Sequence, residues 1–494
     1  MAPLSLFYSA FSGSLVLKHL FLPLAGALLL AAPAFAQVTP PGSTTPASPP
    51  NAASAQEPAH LPNPNDPGAP RKWSLHFQQT LVNQWHNDLI TPYAGAFSLA
   101  DRESAKLSFT STLFIGRRLW KGAAVYFNPE VAGGTGLSGA RGIAGFTNGE
   151  TFRIGNPSPN LYLARLYLRQ VFALGSETDK DDDDLNQVAG PTPRRYFAIN
   201  VGKFSTADFF DQNSYSHDPR TQFLNWSLMS AGGWDYAANT RGYTVGGVFE
   251  YVTPGFAARF ATTIMPTEAN GPTLNFHYGT AHAETVELTK VYHLRGRQGT
   301  IRALGFRNVA AMATYNTAVR LAQLTGEQPD VTLVRRDGHT KIGFGLNAEQ
   351  EIAKNVGLFA RVSYNDGKNE TWAFTEIDQS ASLGIVSTGD RWQRPNDRVG
   401  AAIVVNGISP EHRAYLAAGG YGFMVGDGPG TGYVPNNGAL NYGLEQIGEV
   451  YYSFALPIYH ASISPDYQFV VNPGYNRDRS GPVHVVAIRL HVEF

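Results

Sequence analysis

Strict alternation is the feature that most limits what this chain can fold into. In the stretch 483–494, Val486, Ile488, Leu490, Val492 and Phe494 share one parity, and Val485, Ala487, Arg489, His491 and Glu493 share the other. A period of two places one set on each face of a β-strand. Residues 75–85 repeat the pattern, with Leu75, Phe77, Leu81 and Trp85 opposing His76, Gln78, Thr80 and Gln84. So do 105–116 and 122–131. Further runs lie near 161–172, 196–202, 241–251, 257–264, 282–291, 301–308, 341–349, 356–364, 371–378, 397–405, 446–456 and 460–470, giving about 16 segments in all. The runs at 301–308 and 371–378 are the weakest, which leaves 14 or 18 open. No stretch of the body reaches the roughly 18 consecutive apolar residues of a membrane-spanning helix.

The connections alternate as well. Those at 132–160, 203–240, 309–340 and 406–445 are long, whereas 117–121, 252–256, 350–355 and 457–459 are short. Transmembrane barrels have long extracellular loops and short periplasmic turns. The segment 173–195 breaks the rule, being long on the short side and carrying Asp181 to Asp184, which reads as a solvated insertion. A soluble β-sandwich also alternates. It needs no aromatic girdle, and here Trp85, Trp120, Tyr251, Tyr364, Tyr451, Tyr452 and Phe494 sit at expected strand ends. Only 16% of residues are charged and 51 are glycine. The expected fold is all-β: a transmembrane antiparallel β-barrel of about 16 strands, closed because lipid offers no hydrogen-bond partners to a sheet edge. Phe494, closing an alternating strand, is expected to be the end that barrel-assembly machinery reads.

Lys18 and His19 precede an uncharged stretch that ends Ala34-Phe35-Ala36 before Gln37. This predicts a cleaved signal peptide over 1–36; a membrane anchor is the alternative, for which the apolar core is short. Residues 37–70, rich in Pro, Ala and Ser, read as a disordered periplasmic tether. The barrel domain is then 71–494. Cysteine is absent, which excludes thiol nucleophiles, disulfides and Cys-ligated metals.

Several ordered segments resemble the carbohydrate-selective porin family of Gram-negative bacteria, the glucose-porin type. They are Thr91-Pro92-Tyr93-Ala94-Gly95, Arg118-Leu119-Trp120-Lys121-Gly122, Asn128-Pro129-Glu130, and Gly134 to Ser138 running on to Asn148-Gly149-Glu150. Then come Arg165 to Gln170, Gly202-Lys203-Phe204, His217-Asp218-Pro219-Arg220, Phe223 to Trp226 and Asp235 to Ala238. The resemblance implies a 16-stranded barrel whose long loops fold partly into the pore, and passive uptake of monosaccharides, glucose among them, across the bacterial outer membrane. The acidic turn and the Pro-rich tether have no counterpart in that pattern.

A pore for neutral sugars must replace water hydrogen bonds, which Arg forks and carboxylates do, and must pack pyranose C–H faces, which aromatic rings do. Lumen parity contains Glu130, Arg165, Arg169, Arg259, Arg361 and Arg398. The aromatic, polar segment 203–240 is expected to be a constriction loop. Glu130, Arg165, Arg169, Asp208, Asp211, Arg220, Trp226 and Trp234 are the candidate constriction residues. Asp218 and Arg220 around Pro219 fit a structural turn equally well. No catalytic residue, cofactor or metal ligand is expected. Gly134-x-Gly136-x-x-Gly139 matches the dinucleotide fingerprint but opens no helical pattern. Expected partners are small neutral sugars and outer-membrane lipid, with the barrel a monomer or homotrimer. A general, non-selective porin is the closest rival, and a barrel enzyme is a more distant one.

Overall fold

The computed structural model describes residues 70–494 except 93, 152–156, 428–439, 458–459 and 480. The expected signal peptide and all but the last residue of the tether lie outside the described residues. The first strands are β1 (Trp73–His86), β2 (Lys106–Arg118), β3 (Ala123–Gly134), β4 (Asn160–Ala173), β5 (Thr178–Asp181), β6 (Gly190–Pro193), β7 (Tyr196–Phe204) and β8 (Thr244–Thr253). They are followed by β9 (Phe256–Ile264), β10 (His282–Leu294), β11 (Arg297–Ala310), β12 (His339–Ala353) and β13 (Val356–Asn365). The last are β14 (Gln379–Gly389), β15 (Arg394–Gly407), β16 (Glu445–Ala455), β17 (Ala461–Val471) and β18 (Val483–Glu493). All but β5 and β6 form one closed antiparallel barrel of 16 strands, each beside its sequence neighbour, with β4 paired to β7 and β18 to β1.

Closure is sealed at the last residue. Phe77 N–H donates to the Phe494 carbonyl at 3.0 Å and Phe494 N–H to the Phe77 carbonyl at 2.9 Å. The ladder runs on from Gln78 opposite Glu493 to His86 opposite Val485. Every edge of the barrel's strands is thereby paired, the condition lipid imposes.

Parity sorts the side chains as the pattern predicts. On β18, Val486, Ile488 and Leu490 point out, while Val485, Ala487, Arg489 and His491 are buried inside. On β2, Leu107 is exposed and Ser108, Thr110 and Thr112 are buried. Trp73, Trp120, Tyr251 and Phe494 are exposed at the end carrying the chain's last residue, and Trp85 and Tyr364 at the opposite end. Tyr451 departs from the expected girdle. It has lumen parity, is 1% exposed and packs edge-on against Phe223 at 4.9 Å.

One expected strand is displaced. Residues 371–378 alternate, yet they are loop. Trp372, Phe374 and Ile377 are buried beneath other loops. The strand is β14, whose inner face is Ser380, Ser382, Gly384 and Val386. Small inward residues made its alternation faint. The insertion at 173–195 is not a plain loop either, since β5 and β6 pair as a hairpin, Thr178 opposite Pro193 and Asp181 opposite Gly190. After the end of β11 the long connection forms a helix at Tyr315–Thr325, capped by Thr314 and by Gly326 at φ +73°.

The belt predicts a face-specific response. Ile488 is 57% exposed at the middle of β18. Ile488→Lys is expected to lower unfolding stability in lipid vesicles by about 2–4 kcal/mol. Urea titration of tryptophan fluorescence measures it.

Candidate functional site

The segment 205–243 turns into the barrel and crosses it. Its backbone is held by charged side chains of the wall. Glu449 accepts from Leu224 N–H at 2.6 Å and Asn225 N–H at 2.9 Å. Glu349 accepts from Ser214 N–H at 2.6 Å, and Glu287 from Asp211 N–H at 2.8 Å. Arg489 donates to the Pro219 and Gln222 carbonyls at 2.7 and 2.6 Å. Arg361 donates to the Ser216 carbonyl at 2.6 Å and the Leu228 carbonyl at 3.0 Å. Gly357 lets Tyr215 lie on the wall, because a Cβ there would sit 1.9 Å from the Tyr215 ring.

The neighbouring segment 135–151 also turns inward. Ala144 and Gly145 donate to Glu445 at 2.9 and 2.8 Å. It is tied to the 87–105 loop by Glu103, which accepts from the Ser138 amide at 2.8 Å, His86 Nε2 at 3.1 Å and Lys106 at 3.2 Å.

These segments and the wall enclose a cavity of about 320 Å³. Five of the eight residues singled out from sequence line it: Glu130, Arg165, Asp208, Arg220 and Trp226. Glu130 is the hub. It accepts from Thr112 at 2.5 Å, from Tyr243 and Arg220 at 3.2 Å each, and from Tyr162. Arg165 forms a fork with Asp208, at 2.7 and 2.5 Å, and lies 5.3 Å from the Tyr243 ring centre. Arg220 reaches Glu150 at 3.0 Å and Gln78 at 2.6 Å. Burial opposes its charge, but Glu150 and Glu130 outweigh burial and hold the guanidinium well above its ordinary range. Trp226 stacks on Phe374 at 4.6 Å and on Phe146 at 5.1 Å, and Phe374 on Tyr236 at 5.1 Å.

Asp218 resolves the two readings of its turn. It accepts from Arg220 N–H at 3.0 Å and the Thr221 hydroxyl at 2.9 Å, so it closes the turn, while the Arg220 side chain leaves for the cavity. Burial raises its carboxyl, but the Arg220 charge and amide outweigh that and hold it below the usual range.

The other three candidates do not line this cavity. Asp211, at φ +54°, ties the loop to the wall, its Oδ1 accepting from Arg361 Nε at 3.0 Å and Asn347 Nδ2 at 2.6 Å. Trp234 is 1% exposed and packs on Tyr236 at 5.2 Å. Arg169 pairs with Glu250 at 2.5 Å on the wall. Conversely, Tyr162, Glu150, Arg241 and Tyr243 line the cavity and were not singled out. Arg241 lies over the Tyr162 ring at 3.9 Å. Glu150 belongs to the quoted Asn148-Gly149-Glu150 motif, so a signal for it was present; Tyr243 carries none.

Two outcomes are expected. Asp211→Ala leaves buried Arg361 without its counter-charge, a loss of about 3–5 kcal/mol. Single-channel records of the variant should show large, slow current fluctuations absent from the parent. Glu103 is raised by burial but lowered further by His86 and by the Ser138 amide and hydroxyl, from 4.5 to about 2. The stabilisation it lends the loop clamp is therefore complete above the unfolded value and is lost as pH falls through about 2. At about pH 3 the parent's loops should resist pepsin and those of Glu103→Gln should be cut.

The family model of carbohydrate-selective porins, the OprB family, matches residues 98–494. Among solved structures, the high-pH form of Pseudomonas putida OprB aligns with TM-score 0.62 at 17% identity, covering 86% of this chain and 94% of that one, a likeness of fold. The low-pH form of the same protein gives 0.43 at 11% identity, covering 86% and 93%. DcaP of Acinetobacter baumannii gives 0.46 at 10%, covering 85% and 97%. No curated protein sequence matches. A closed 16-stranded barrel with an apolar outer belt and a matching family model over nearly all of that barrel is a bacterial outer-membrane channel for carbohydrates, and the chain belongs to the carbohydrate-selective porins of the OprB family.

Proposed function

We propose that the channel passes small neutral monosaccharides, glucose among them, by passive diffusion through the cavity lined by Glu130, Arg165 and Arg220. The observation that carries this reading is the pairing of charges there. Arg165 is matched by Asp208, and Arg220 by Glu130 and Glu150, so the cavity offers many directed donors and acceptors whose charges are largely held in ion pairs. Such a surface suits vicinal hydroxyls better than an ion. The stacked Trp226, Phe374 and Tyr236 supply the apolar faces that pyranose C–H groups pack against. A volume of about 320 Å³ lies at the lower edge of the range of small-molecule sites, which favours a single sugar ring.

Liposome swelling with purified protein tests it. Glucose influx is expected to be faster than that of a disaccharide and of an amino acid of glucose's size. Arg165→Ala should narrow the difference between glucose and the amino acid, because Asp208 then stands unpaired. Equal parent rates for glucose and the amino acid would make this a general porin.

A further inference from the structure

The hairpin of β5 and β6 sits at the end of the barrel carrying the chain's last residue, the periplasmic end in single-chain outer-membrane barrels. Its anchors show that it enters the lumen. Arg118 donates to the Val188 carbonyl at 2.7 Å and the Ala189 carbonyl at 3.2 Å. Arg71 pairs with Asp183 at 2.9 Å and donates its amide to Ala189 at 3.1 Å. Val188 is buried in one cluster with Tyr126 and Tyr167, and a Cβ on Gly116 would lie 3.0 Å from it. Arg118, Gly116 and Tyr126 all have lumen parity on β2 and β3. The run of Asp residues thus forms the shoulder of a hairpin whose tip turns upward.

That tip, Leu185 and Asn186, lines the same cavity as Glu130 and Arg220. Asn186 adopts φ +54°, and its Oδ1 is buried with no hydrogen-bond partner. A buried acceptor left unpaired is costly unless something fills it. We infer that Leu185 and Asn186 are the lower jaw of the selectivity site: Leu185 closes the path from the periplasmic side, and Asn186 Oδ1 accepts from a hydroxyl of the passing sugar. This rests on the sugar-channel reading above and adds a specificity-determining residue from the opposite membrane face.

The chain has no cysteine, so a single one reports its position cleanly. In planar bilayers, Asn186→Cys treated with a cationic thiosulfonate is expected to lose about half its current or more. Asp179→Cys, at the exposed base of the hairpin, should be modified without loss. Complete modification of Asn186→Cys by mass, with the current unchanged, would overturn the placement. Asn186→Ala should weaken glucose block of the current roughly five-fold. Unchanged glucose block would overturn the role of the acceptor. Replacing 175–194 by Asn-Gly, which keeps the Leu174–Arg195 backbone pair at 2.8 Å, should admit disaccharide in swelling assays. Continued exclusion of disaccharide would overturn Leu185 as the limiting jaw. If the parent fails to distinguish glucose from an amino acid, the sugar reading falls, while the cysteine result still decides where the hairpin lies.

Discussion

A peptide segment that crosses the inside of a barrel carries a donor and an acceptor at almost every residue, and each one removed from water needs a partner. A strand ladder cannot supply them, because the wall's backbone groups are already committed to closure. Wall side chains supply them instead. Glu449, Glu445, Glu349 and Glu287 take loop amides, and Arg361 and Arg489 take loop carbonyls. Each carboxyl offers two acceptor oxygens and each guanidinium five donors, so one wall side chain can serve two loop backbone groups. The same bonds satisfy wall side chains whose polar atoms would otherwise be buried unpaired at a cost. The path of the 205–243 segment, and the shape of the cavity beneath it, follow from where those posts stand.

Much of this was legible in the sequence because the barrel obeys a local rule. Period two needs no knowledge of partners, so the inner and outer faces of β1, β2 and β18 could be read directly. The rule fails where local and distant forces disagree. Residues 371–378 alternate for a different reason: Trp372 and Phe374 are anchored by loop contacts, Trp372 N–H and Phe374 N–H both donating to Asp235 at 3.0 and 2.9 Å. β14 was missed because serine and glycine on its inner face leave room for the loop lying over it. A Cβ on Gly232 would already touch Ser380 at 2.9 Å.

The candidate site divides along the same line. Residue type and parity were enough to draw attention to Glu130 and Arg165. They were not enough to separate Arg169, whose partner Glu250 is local to the wall, from Arg165, whose partner Asp208 belongs to the inward segment. Nor could they show that Asp211 is a tie and not a lining group. Its two oxygens are spent on Asn347, Arg361 and the Ala231 amide, 136, 150 and 20 residues away.

Charge on the lumen face therefore serves three ends that look alike in one dimension. Some groups bind loop backbone, some bind each other across the wall, and a few border the cavity. What distinguishes the last set is that their partners leave part of each group turned toward open space. Glu130 and Arg220 are bonded to one another and to several neighbours, yet both still border the cavity. An array already bonded within itself in this way has little reorganisation left to undergo when a solute arrives. On the proposed reading it discriminates by the directions of its hydrogen bonds and by size, and an ion gains little where Arg165 and Arg220 are already answered by carboxylates within about 3 Å.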